Sequence, residues 1–189
     1  MSDEFCSYAE FGKRFFAAAV TSDKILGAVA ALGGRPIAFG PMGVGPGRLA
    51  KVTATGEIGT ATAQEVPGRE ISFDVTLPVA LDFALDLQVE THHFHGALEL
   101  PLKVRARATP DLRIVVEVTP PSARDVRLDL TADGRRAGMV KKLAGVDAEV
   151  KRFVAKYVAR ELEKPEIARA RIVDVNSAID AAWAGLAPR

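Results

Sequence analysis

The chain has 189 residues, 48% of them hydrophobic and 26% charged, with a formal net charge of +1. This balance excludes a disordered or collagen-like chain and provides no overall basic field of the kind that draws in nucleic acid. The single cysteine, Cys6, excludes an internal disulfide framework and a multi-cysteine zinc site.

The N-terminal segment first resembles a secretory signal, because Lys13 and Arg14 precede the apolar run 15–20. Asp3, Glu4 and Glu10 lie ahead of the basic pair, however, and Ser22, Asp23 and Lys24 cut the run short of the roughly 7–15 apolar residues a signal core needs. A core helix over about 7–33 is expected instead. Tyr8, Phe11, Phe15 and Ala18 recur at three- and four-residue spacing, as do Ile25, Val29 and Leu32. Ser22 can restart the helix as an N-cap, and Gly33 and Gly34 can end it; the pattern fits one kinked helix or two. No stretch approaches the ~20 apolar residues of a membrane span, and a lone cysteine suits a reducing compartment, so a cytoplasmic location is expected.

Residues 35–132 read as strand after strand. Between Val79 and Glu90, Val79, Leu81, Phe83, Leu85, Leu87 and Val89 alternate with small or polar residues. The parity then reverses: Phe94, Leu98, Leu100, Leu102 and Val104 face one way, and His95, Glu99, Lys103, Arg105 and Arg107 the other. Leu112, Ile114, Val116 and Val118 continue the alternation, followed by Val126, Leu128 and Leu130. One dry face and one wet face predict an antiparallel sheet.

Charge suggests how the strands pair. Residues 57–100 carry eight acids against Arg69 alone, while residues 101–164 carry fifteen bases against nine acids. A hairpin centred on His92 and His93 sets Asp82 opposite Lys103, and one centred on His93 and Phe94 sets it opposite Arg105. Each such pair is worth about 0.2–1 kcal/mol. Pro78 and Pro101 each remove a ladder donor and so mark an edge or a bulge. Strands of about twelve residues, roughly 40 Å, bent in this way should curl.

From about Gly138 to Glu163, Met139, Leu143, Val146, Val150, Phe153 and Tyr157 recur every three or four residues, as in an amphipathic helix. Its length of about 39 Å matches the strands. Lys164 and Pro165 end it, residues 172–175 can add a short strand, and Ser177 with Asp180 reads as a capping box for a last turn reaching Trp183. The predicted fold is α+β in a single domain, 1–189. An N-terminal helix occupies 1–34 and a long, curved antiparallel sheet 35–132. The sheet wraps around a long C-terminal helix at 138–164, and 165–189 add a short strand and helix.

Motifs that carry chemistry are weak. His92, His93 and His95 are the only histidines, and a metal site would need a third or fourth ligand that the sequence does not name. A solvated hairpin is the favoured reading, with His92 in the turn. In the segment Gly40-Pro-Met-Gly-Val-Gly-Pro-Gly47, Pro46 removes a donor, and no helix follows, so a rigid turn is favoured over a phosphate cradle. Arg135–Arg136 and Lys141–Lys142 could touch an anionic membrane surface, but a solvated helix face accounts for them more simply. Interleaved aromatics for base stacking are missing, so no nucleic-acid partner is expected. No catalytic residue, metal ligand set or cofactor is expected either.

The order of elements, an amphipathic N-terminal helix, long bent antiparallel strands and a long C-terminal amphipathic helix, resembles the tubular lipid-binding (BPI-like, SMP-like) superfamily. The resemblance spans roughly Tyr8–Val175. It implies acyl chains held in the seam between sheet and helix. The segments Phe39-Gly-Pro-Met-Gly-Val-Gly-Pro-Gly47, Leu77-Pro-Val-Ala-Leu81 and Phe153-Val-Ala-Lys-Tyr-Val-Ala-Arg160 are also similar to an uncharacterised family of small actinobacterial proteins. The expected function is non-catalytic binding of a lipid or other apolar ligand. Phe83, Leu85, Leu87, Leu98, Leu100, Leu102, Val116, Val150, Phe153 and Tyr157 are the expected liners. The alternative is a structural module with a filled core, binding a protein partner or a second copy of itself.

Overall fold

The computed structural model describes residues 5–30, 37–44, 47, 49–68, 70–87, 90–132 and 139–185; for residues 44, 132 and 139–146 it describes the backbone alone. Two helices come first, α1 (Tyr8–Ala19) and α2 (Ser22–Ala30). Seven strands follow: β1 (Ile37–Val44), β2 (Ala50–Ile58), β3 (Thr62–Val66), β4 (Ile71–Asp86), β5 (Thr91–Ala108), β6 (Arg113–Thr119) and β7 (Arg127–Ala132). The chain then forms α3 (Met139–Glu163), α4 (Pro165–Ala170), β8 (Ile172–Asp174) and α5 (Val175–Ala184). The strands make one antiparallel sheet in the order β1-β2-β4-β5-β6-β8; β3 continues the β2 side of β4, and β7 shares the outer side of β5 with β6. The fold is α+β, and the sheet is strongly curled into a half-barrel.

β4 and β5 form the spine. They are 16 and 18 residues long, well beyond the twelve expected. At about 3.3 Å per residue that is roughly 50–60 Å. Most inward residues of both strands are buried and most outward ones exposed, as alternation requires. Both prolines sit inside these interior strands, at gaps in the neighbouring ladder. Pro78 falls where the partner of β4 changes from β2, ending at Ile58↔Val79, to β3, beginning at Thr62↔Thr76. Its carbonyl accepts from the Gly59 N–H at 2.8 Å, so its ring nitrogen faces the gap and no donor is missed. Pro101 falls between the Glu99↔Arg127 pair of β7 and the Lys103↔Thr119 pair of β6.

The hairpin register differs from both sequence alternatives. β4 ends at Asp86 and β5 begins at Thr91, so Asp82 lies opposite His95, and Lys103 opposite Asp74. His92 is therefore a strand residue pointing inward, not a turn residue. Every register that keeps dry faces together satisfies the alternation equally well; close packing around Leu81 distinguishes this one. Leu81 stands between Gly56 on β2 and Gly96 on β5. A Cβ on Gly56 would meet the Leu81 side chain at 2.5 Å, and one on Gly96 would meet the Phe83 ring at 2.8 Å. The two glycines make room for large neighbours.

No single helix covers a spine of this length. Towards one end, Phe39, Val52, Leu81, Phe83, Phe94 and Leu98 close over Val150 and Val154 of α3. Towards the other, Phe73, Val75, Leu102, Val104 and Ile114 close over Val20 and Ile25, at the junction of α1 and α2. The α3 backbone approaches both β1 and β7, opposite flanks of this end of the sheet, which a curled sheet permits and a flat one does not.

Several local expectations are corrected. The N-terminal segment takes the two-helix form of the two its pattern allowed, but Thr21 rather than Ser22 caps the second helix, its hydroxyl receiving the Lys24 N–H. Tyr8 and Phe11 of the supposed core stripe are 96% and 59% exposed, and α1 buries no residue fully. Phe16 and Ala19 face the sheet instead. Apolar residues on both faces left the periodicity ambiguous. Gly33 and Gly34 lie outside the described residues. Residues 40–44, read as a turn, belong to β1, with a bulge between Phe39 and Met42 and a cis Gly40–Pro41 bond. Gly40 adopts φ +107°, and a Cβ there would meet the Val52 carbonyl oxygen at 2.5 Å. The cap of α5 is Asp174, whose carboxylate receives the Ser177 N–H at 2.9 Å. Ser177 and Asp180 lie inside that helix rather than boxing its start.

Candidate ligand cavity

Two partial covers on one long dry face leave a seam, and a cavity of about 380 Å³ lies in it. Val79 and Leu81 from β4 and Leu98, Leu100, Leu102 and Val104 from β5 form its floor. They are consecutive inward positions, so period-two alternation alone lays them side by side. The roof is one stripe of α3: Phe153 and Val154, Tyr157 and Val158, Glu161 and Leu162. Val29 of α2, Ile37 and Phe39 of β1, and Ile58 of β2 close the side towards the chain's first half. The aromatic rings form a continuous wall. Phe39 and Phe153 stand 5.2 Å apart between centroids, and Phe153 and Tyr157 stack at 6.3 Å.

The polar groups gather at one end. Lys164, Glu166 and Ile167 from the start of α4 join Glu161 and Tyr157 there. Lys164 Nζ donates to the Glu161 carboxylate at 2.8 Å. That bond is the main reason the ammonium is held above its usual range, with the negative charge of Glu161 adding to it. Burial, followed by the negative charge of Glu161, raises the Tyr157 hydroxyl above its ordinary value. Behind this mouth, the Arg171 guanidinium donates to the Leu162 carbonyl at 2.9 Å, satisfying the end of α3. Its Nε is buried without a hydrogen-bond partner.

Of the ten liners expected from sequence, Leu98, Leu100, Leu102, Phe153 and Tyr157 come together around the cavity. Phe83, Leu85 and Val150 are buried in the packed cluster at the α3 end, and Leu87 packs against it. Val116 packs against the other cluster. Val79 and Leu81 share the parity of Phe83 and were legible as floor residues. Glu161 was legible too, as a carboxylate four residues after Tyr157 on the apolar stripe. Val29, Ile37 and Ile58 carried no such signal, because only the tertiary fold brings them to the seam.

The histidines do not assemble a centre. His92 points inward, 3.5 Å from the Glu90 carboxylate, while His95 Nδ1 meets the Asp82 carboxylate on the outer face. His93 is exposed beside it. Among the described residues, no three His, Cys, Asp or Glu side chains cluster as metal ligands, and no helix is long and apolar enough to cross a membrane. Arg135 and Arg136 lie outside the described residues, as do the side chains of Lys141 and Lys142. No protein-family model matches the chain, and no curated protein matches it.

Proposed function

We propose that the protein binds an apolar small molecule, a lipid or a single acyl chain, in the seam between sheet and helices, without catalysis. The observation that carries this reading is the cavity itself. Its 380 Å³ falls within the roughly 300–1,000 Å³ of small-molecule sites, and its wall is apolar except at one end. An unfilled apolar void costs stability, about 24 cal/mol per Å³, which an occupant would recover. The wrapping of the sheet around a long C-terminal helix, and with it the likeness to tubular lipid-binding proteins, belongs to this proposal; the curled half-barrel supports both. Native mass spectrometry of the purified protein tests it. A co-purifying apolar ligand, or one-to-one uptake of the neutral probe N-phenyl-1-naphthylamine, is expected; an apo spectrum with no uptake refutes it.

A second reading has its own observation. Phe5, Tyr8, Phe11 and Phe15 are all exposed at the N-terminal end, with the Phe11 and Phe15 rings stacked at 6.2 Å, and exposed apolar surface can mark an interaction face. As an interaction module, the chain would self-associate or bind a protein through α1. Sedimentation measurements then show an oligomer that Phe11→Ser with Phe15→Ser dissolves. A monomer at high concentration removes the homo-oligomeric form of this reading.

A further inference from the structure

The mouth of the cavity selects for the head group of its occupant, an inference that rests on the ligand-binding reading above. Among the described lining residues the charged groups are Glu161, Lys164 and Glu166. The single cation is already committed, with Lys164 Nζ at 2.8 Å from the Glu161 carboxylate. The remaining functionality is the Tyr157 hydroxyl, which can donate or accept, and the oxygens of two carboxylates, which only accept. A fatty-acid carboxylate is itself an acceptor only, and it would be the third negative charge beside one lysine. To bind there it must displace Glu161 from Lys164 or sit near two like charges at a partly exposed mouth, and either costs affinity. A hydroxyl head meets the opposite situation. It donates to Tyr157 or Glu161 and brings no charge, and its chain lies along the floor of Leu98, Leu100 and Leu102.

We therefore propose that the cavity takes a single apolar chain ending in a neutral, hydrogen-bond-donating head, of the long-chain alcohol type, and discriminates against the corresponding carboxylate. The experiment displaces N-phenyl-1-naphthylamine from the full-length protein with 1-dodecanol and with dodecanoate, matched in chain length, at pH 8 where the acid is ionised. Dodecanol should compete at least about tenfold more tightly than dodecanoate. In Glu161→Gln, which removes one carboxylate charge and loosens the hold on Lys164, the gap should narrow severalfold, with dodecanoate gaining most of the difference. Dodecanoate competing as well as dodecanol in the unmodified protein overturns the head-group proposal and leaves the cavity reading standing. Equal discrimination in Glu161→Gln also overturns the proposal, because the mouth then does not set the preference. Failure of the probe and both chains to bind overturns the cavity reading and this proposal with it.

Discussion

Replacing Leu100 with phenylalanine tests whether the seam is hollow. Leu100 is 4% exposed and points from β5 into the cavity floor. In a close-packed core the larger ring would force neighbours off their rotamers and cost about 1–3 kcal/mol. Beside a void of about 380 Å³ the ring has space to enter. The added volume of roughly 25 Å³, at about 24 cal/mol per Å³, then stabilises by about 0.6 kcal/mol. Leu85→Phe is the internal control. Leu85 is also 4% exposed, faces the same way and belongs to the same buried cluster as Leu100, but it does not line the cavity. That variant should lose about 1–3 kcal/mol. Urea unfolding followed by circular dichroism should move the Leu100→Phe midpoint slightly up and the Leu85→Phe midpoint down, with unchanged slopes. A Leu100→Phe protein destabilised as much as Leu85→Phe would refute the hollow seam.

Further tests bear on the local geometry. Gly40→Ala places a Cβ at φ +107° and 2.5 Å from the Val52 oxygen, so it should cost about 1–3 kcal/mol in urea unfolding. Gly27→Ala, with nothing within 4 Å on the exposed face of α2, should gain about 0.5–1 kcal/mol in the same assay. Asp174→Ala removes the cap of α5 and should cost about 0.5–2 kcal/mol, read as faster amide exchange in the first turn after Val175. Asp125 is held below its ordinary 3.8 by the Ser122 hydroxyl and then the Ser122 N–H, at 2.6 and 2.9 Å. Because its folded value is depressed, this loop is stabilised above pH 3.8 and loses that contribution as pH falls through the folded value. An NMR titration of the Asp125 carboxyl should show the depression, and Ser122→Ala should reduce it, leaving the part that the retained Ser122 N–H supplies.

Much of the sheet was legible because strand periodicity is a local property. The inward set of β5, Phe94, Leu98, Leu100, Leu102 and Val104, follows from alternation alone, and so does the stripe of α3 that roofs the cavity. The register was not legible. Shifting the β4–β5 hairpin by two residues preserves the match of dry faces, so the charges of Asp82, Lys103 and Arg105 offered no unique answer. The fit of Leu81 between Gly56 and Gly96, on strands far apart in the chain, is a tertiary fact.

The sequence by itself determined an antiparallel sheet with one dry face, an amphipathic helix to lie on it, and the absence of any recognisable catalytic motif. These depend on the order of apolar and polar residues, which the chain carries locally. Only the tertiary structure decided that the spine outruns its cover, that α1 and α2 pack one end and α3 the other, and that the space between them is lined from eight elements, with Tyr157, Glu161 and Lys164 at its mouth. A void belongs to no residue. It arises from what distant segments fail to fill, and no periodicity along the chain encodes it.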